Sequence, residues 1–194
     1  MREFIYFSSK ANTSGNFKDL MKAGRMDIAI HFIINSFFLS NNLRDNVKLH
    51  LIFYGPPTPP RHILLVSNPN MPISKKDVAG LIRRMLFKYK GMGEQEIYPG
   101  CFIDNKNFFQ VIEEIKKEGR KICILEKNGI DIEKADIDEN CVFIVGDHEG
   151  LPLKEIKRLK EVAEKISLGK KVYFASHVVT IINYLLDRKE QISN

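Results

Sequence analysis

Two short apolar runs constrain the fold more than any other feature of the chain. Residues 121–126 (KICILE) and 141–145 (CVFIV) have unbroken apolar centres, as a strand has when both of its faces are covered. Strands of that kind belong to parallel sheets, whose crossovers need helices. Residues 3–9, 47–54, 62–67 and 162–168 read as further strands. Helices are expected over residues 26–40, apolar nearly all round, and from residue 74 to about 89 behind a Ser74–Asp77 capping box. Another follows Asp104, expected as its cap, with Phe108, Val111, Ile112 and Ile115 on one face. Residues 153–158 and 175–187 complete the helical set, while residues 11–16 and the proline-rich 55–60 are loops. The pattern is α/β, a largely parallel sheet flanked by helices, in a single domain over residues 1–194.

Thirty Lys and Arg against 24 Asp and Glu give a formal charge of +6, and five of the acids crowd together at Asp131, Glu133, Asp136, Asp138 and Glu139. The remainder is therefore more basic than the average, which favours a polyanionic partner. Cys123 and Cys141 sit inside apolar strands and Cys101 is expected at the surface. An odd count without a C-x-x-C pair argues against a disulfide framework or a zinc site. The longest apolar stretch, residues 28–39, is broken by His31, Asn35 and Ser36 and is too short to span a bilayer. Glu3 interrupts the start where a signal peptide would need an apolar core, so a soluble, cytoplasmic protein is expected, with no membrane and no metal partner.

Chemistry concentrates in two small-residue turns. Gly146-Asp147-His148-Glu149-Gly150-Leu151-Pro152 follows a buried strand and precedes a helix, where α/β sheets bind ligands. An ordinary strand-to-helix turn would look the same. Ser167 to His177 includes Gly169, the basic pair Lys170-Lys171 for an anionic group, and Val172, Tyr173 and Phe174 to wall a ring. Alone it reads equally as a solvated surface loop. Asp147-His148-Glu149 is a poor metal set, because consecutive side chains diverge, and His177 reads as a satisfied polar group. No dinucleotide fingerprint, Walker loop, H-E-x-x-H or G-x-S-x-G is present. Asp27, opening a nearly all-apolar helix beside Arg25, is first a dipole partner, yet it is also where a half-buried working carboxylate would sit.

Together with Ala11-Asn12-Thr13-Ser14, Gly24-Arg25-Met26-Asp27, Leu43-Arg44-Asp45, Tyr173-Phe174-Ala175-Ser176-His177 and Leu186-Asp187-Arg188, these turns resemble the SPOUT class of RNA methyltransferases over essentially the whole chain. Within that class the chain is most similar to the archaeal tRNA (pseudouridine-54 N1)-methyltransferase (TrmY) family. The resemblance implies a C-terminal deep trefoil knot over about residues 121–190, a homodimer, and S-adenosyl-L-methionine folded among three loops. Those loops carry Leu125, then Gly146, Asp147, His148 and Gly150, then Leu168, Gly169, Lys170, Lys171, Val172, Tyr173 and Phe174, with Val178 close by, where many members have Cys. The apolar residues 178–186 are expected to serve the dimer contact. The implied reaction is N1-methylation of pseudouridine in the tRNA T-loop, with Asp27 as base or orienting group and Arg25 positioning it. Arg44, Arg83, Arg84, Lys88 and Lys90 are candidates for RNA contacts. A ribosomal-RNA pseudouridine methyltransferase and a non-catalytic RNA-binding assembly factor are the alternatives.

Overall fold

The computed structural model describes residues 1–193. Its middle strand is β1 (Arg2–Ser8), seven residues of aromatic and β-branched character buried end to end. Period-two alternation sends Phe4 and Tyr6 into one core and Ile5 and Phe7 into the other. On one side β1 pairs in parallel with β2 (Val47–Phe53), and on the other with β7 (Cys141–Gly146). Beyond β7 lie β6 (Lys121–Asp131) and β8 (Ala163–Ser167), both parallel to their neighbours. Beyond β2 the sheet turns antiparallel through β3 (Arg61–Val66), β5 (Cys101–Asp104) and β4 (Gln95–Tyr98), so the full order is β4-β5-β3-β2-β1-β7-β6-β8.

Five helices cover the two faces. The core that receives Phe4 and Tyr6 is filled from α1 (Met26–Phe37), α2 (Val78–Lys88) and α5 (Ala175–Ser193). The one that receives Ile5 and Phe7 is filled from α3 (Phe108–Lys117) and α4 (Leu153–Leu159). The β7-to-β8 connection crosses β6, and α5 then returns to pack on α1 and β7.

Several boundaries depart from expectation for local reasons. α1 stops at Phe37 because Phe38 turns extended and bridges Leu43. α2 starts at Val78, four residues later than Ser74; the Ser74 hydroxyl serves a turn to Lys76 N–H, and Asp77 spends its carboxylate on Arg84. The cap of α3 is Asn107, in a reciprocal box with Gln110, and not Asp104. β4 and β5, four residues each around Gly100 (φ 73°), are too short to carry a strand pattern. Cys101 is buried on β5 and not at the surface; burial pushes its thiol up to about 12.

Buried polar groups tie the layers together. Glu3 Oε1 meets His50 Nε2 at 2.8 Å, His50 Nδ1 meets His62 Nε2 at 2.9 Å, and His62 Nδ1 meets Asp104 Oδ1 at 3.1 Å, one chain across β1, β2, β3 and β5. Next to Glu3 on β1, and turned to the opposite face, Arg2 is fully buried and donates to Asp187 (2.6 Å) and Glu190 (2.7 Å), while Arg44 grips the same Asp187 with both nitrogens. Val178, Val179, Ile182 and Leu186 of α5 are buried inside the chain, which leaves Ile181 and Leu185 half-buried and Tyr184 exposed on the segment expected to serve a dimer contact.

Candidate active site

The C-terminal ends of β6, β7 and β8 surround a cavity of about 410 Å³, within the range of small-ligand sites. Its walls are set by close backbone approaches. After β7 the chain doubles back, with Asp147 N–H donating to Phe7 O at 3.0 Å and Gly150 N–H to Asp147 O at 3.0 Å. A Cβ on Gly146 would stand 2.4 Å from the Gly150 carbonyl carbon, so the turn closes only with glycine there. Ser167 Oγ donates to Lys127 O at 3.1 Å and accepts from Gly169 N–H at 3.0 Å, pinning the loop after β8 to β6. Gly150 (φ 75°) and Gly169 (φ 93°) line the cavity from left-handed backbone, and a Cβ on either would meet no protein atom within 4 Å. A small ligand can therefore reach main-chain groups at both positions without a side chain in the way.

Of the cofactor residues read from the sequence, all but Lys170 line this cavity: Leu125, Gly146, Asp147, His148, Gly150, Leu168, Gly169, Lys171, Val172, Tyr173, Phe174 and Val178. Glu126, Lys127, Ser167 and Ala175 fill the gaps between them. Ile28 and Val145 had no sequence signal, because Ile28 arrives from a distant helix and Val145 looks like any residue of a buried strand. The Asp147 carboxylate is committed to the protein, accepting from Ser8 Oγ at 2.7 Å and Glu149 N–H at 2.8 Å. The turn is further clamped by the Lys10–Glu149 ion pair. Val172 and Phe174 form an exposed apolar rim.

Beside this cavity α1 begins in a strained turn. A Cβ on Gly24 would fall 1.7 Å from Lys10 O, and Arg25 follows in the left-handed region at φ 61°, ψ 42°. That conformation folds the guanidinium back onto Asp27, with Nε to Oδ1 at 3.0 Å and Nη2 to Oδ2 at 2.9 Å. The hydrogen bonds from Arg25 hold the Asp27 carboxyl below its usual range, against the opposing effect of partial burial. Tyr6, packed beneath, has its phenol pushed well up, first by burial and then by the negative charges of Asp147 and Asp27. One buried ring thus feels both the cavity loop and the carboxylate, and the residue after Asp27, Ile28, is a wall of the cavity.

The basic residues separate into two groups. Arg44 is taken up by Asp187. Arg83, Arg84 and Lys88 converge on the outer side of α2, and Lys90 is exposed just past its end. Among the described residues no group of three or more His, Cys, Asp or Glu is placed to hold a metal, and no helix is long and apolar enough to cross a membrane.

Residues 1–191 match a family model described as "Putative SAM-dependent RNA methyltransferase". Full-length relatives include proteins named tRNA (pseudouridine(54)-N(1))-methyltransferase. The one from Methanococcoides burtonii is 38% identical, covering 97% of this chain and 96% of its own. Those from Methanocaldococcus jannaschii (35%; 97% and 98%) and Thermococcus onnurineus (34%; 96% and 97%) align as completely. Among solved structures, Archaeoglobus fulgidus Nep1 bound to S-adenosylhomocysteine superposes with a TM-score of 0.64 at 13% identity, covering 96% of this chain and 97% of that one, a likeness of fold. The chain belongs to the SAM-dependent RNA methyltransferase family in which these tRNA pseudouridine N1-methyltransferases are its full-length relatives.

Proposed function

We infer that the chain transfers a methyl group from S-adenosylmethionine to N1 of pseudouridine in tRNA, at position 54 of the T-loop. The observation that carries this reading is the three-loop cavity itself, with the Arg25–Asp27 pair at the start of the helix whose Ile28 is one of its walls. The cavity suits the cofactor: Leu125, Val145, Leu168 and Val172 offer apolar walls for adenine, main-chain groups are open at Gly150 and Gly169, and Glu126, Lys127 and Lys171 present charges for the amino-acid end. When bound there, S-adenosylmethionine supplies an activated methyl on sulfur and leaves as S-adenosylhomocysteine.

The protein's own part is alignment and one proton. Pseudouridine is joined to ribose through carbon, so its N1 carries a hydrogen and must lose it as the N–CH₃ bond forms. Asp27 accepts that proton on a carboxylate oxygen. While Arg25 holds both oxygens the carboxylate is a weak base; it strengthens when the guanidinium turns towards an oxygen of the incoming nucleotide. The target base leaves its stack to reach the site, at a cost of a few kcal/mol.

The chain acts in this reading as a homodimer, with the exposed rim of Val172 and Phe174 as the apolar surface that a second copy covers, and sedimentation velocity reads this directly. Residues 121–190 hold the trefoil knot in the same reading, supported by the β7-β6-β8 order and the return of α5 over β7. A cytoplasmic location accords with a tRNA substrate. The test is incorporation of labelled methyl into two tRNA transcripts that differ only in pseudouridine or uridine at the T-loop position. Label in the pseudouridine transcript alone is expected, and equal label in both removes N1 as the target. Label in neither, with ribosomal RNA labelled instead, moves the substrate to the ribosome; binding of RNA without turnover on any substrate leaves an assembly factor.

A further inference from the structure

The second large cavity of the molecule, about 500 Å³, lies on α2, outside the site described above. Its floor exists because two residues lack side chains. A Cβ on Gly15 would stand 2.4 Å from Arg83 O and 2.8 Å from Phe87 Cβ, and one on Gly80 would stand 1.9 Å from Asp77 Oδ1. The inner face of α2 is spent on the core through Val78, Leu81, Ile82, Met85 and Leu86. Phe87 points the other way and is 79% exposed, an aromatic ring that its own fold does not cover. Around it stand Arg83, Arg84 and Lys88, with Asp77 the single lining acid, already bound to Arg84 at 2.9 Å. Arg83 rests over the Phe17 ring and Lys88 over the Tyr98 ring, at 5.8 and 4.5 Å from the centroids, so both cations are held in place by aromatic faces.

A lone exposed ring inside a cationic cup is the arrangement that holds single-stranded nucleic acid, with the base on the ring and the phosphates on the cations. Three cations against one acid already paired make an anionic partner the one that fits the charge of the cup. The cup is also joined to the methyl-transfer site by one loop: Gly15 seats that loop on α2, while Asn12 N–H donates to Ala23 O at 3.1 Å beside the Gly24–Arg25 turn.

We propose that Phe87, with Arg83 and Lys88, forms a subsite for an unpaired nucleotide of the RNA substrate, separate from the base that receives the methyl group. This rests on the RNA methyltransferase reading and adds a stacking contact to it. The test uses the full-length chain and a fluorescently labelled, pseudouridine-containing tRNA transcript. Phe87→Ala should weaken RNA binding about tenfold or more and raise KM for RNA, while the thermal shift produced by S-adenosylmethionine is unchanged. Phe87→Trp, which keeps a ring, should restore affinity. Lys88→Ala should instead lower the slope of affinity against salt by about one. Wild-type RNA affinity in Phe87→Ala overturns the subsite. So does a Phe87→Ala variant that sediments with fewer subunits and loses RNA only as a consequence. If the wild-type protein binds the transcript through Phe87 but does not methylate it, the subsite stands and the proposed reaction falls.

Discussion

Asp27 and Arg25 show how one backbone torsion serves chemistry at the expense of stability. A non-glycine residue in the left-handed region carries about 1–2 kcal/mol of strain. In Arg25 it accompanies a side chain folded onto the carboxylate two residues on. Replacing Arg25 with Gly should therefore leave thermal stability unchanged or raise it by about 1 kcal/mol, while methyl transfer falls; calorimetry and turnover on one preparation check both. Asp27→Asn keeps the shape and removes the proton acceptor. It should cut kcat by about 100-fold or more with the S-adenosylmethionine Kd unmoved, and unaltered turnover would dismiss Asp27 as the base. The spacing of Gly24-Arg25-Met26-Asp27 disclosed a carboxylate at a helix start, but nothing in the sequence announces a left-handed arginine. The strain exists only because Gly24 is pressed onto the Lys10 carbonyl by the folded chain.

At the level of elements, legibility followed the length and purity of the pattern. The buried strands at residues 121–126 and 141–145 were readable because an unbroken apolar run of that length has few other uses, and the second runs directly into the Gly146 turn. The antiparallel β4 and β5 were not, since four residues hold no period and their pairing depends on β3, on the far side of α2 in the chain. Asp104 looked like a cap because its type and place fit one; its partner, His62, comes from a strand 42 residues earlier. In α5 the apolar run is divided between the core, which takes Val178, Val179, Ile182 and Leu186, and an outer side that carries Tyr184, for periodicity says that a face is covered and not by what. Tertiary fastening of that helix rests on Asp187, shared by Arg2 and Arg44. Asp187→Ala would leave a fully buried guanidinium with Glu190 as its close carboxylate and only Asn183, at 3.3 Å, on the other nitrogen, and should cost about 3 kcal/mol in urea unfolding.

On the scale of the whole molecule, the Glu3–His50–His62–Asp104 chain fastens the parallel half of the sheet to its antiparallel extension. Carboxylates at both ends accept, so the outer nitrogen of each ring donates. Around the chain stand Lys48, Lys106 and Arg120 as cations and Glu118 as a further acid. Burial first, with the neighbouring charges of His62 and Lys48, lowers His50 to about 4 against the pull of Glu3. Glu3 is held at about 2, because His50 and Lys48 outweigh the burial that would raise it. Both groups are depressed on folding, so their stability is present in full above the unfolded values and is lost on acidification. His50 contributes to that loss from about pH 6.5 down to about 4, on the order of 3 kcal/mol, and Glu3 from about 4.5 down to about 2. In His50→Gln the decline between pH 6.5 and 4 should flatten, which chemical denaturation at a series of pH values would reveal.

Arg2 has one more consequence, in time. It is made 188 residues before Glu190, one of the two carboxylates that neutralise it. The strand that carries it also waits for β7, whose first residue lies 139 positions after its own. On a translating ribosome β1 thus emerges long before the strand and the helix that complete its surroundings. Folding must hold it in reserve until β7 and α5 have appeared.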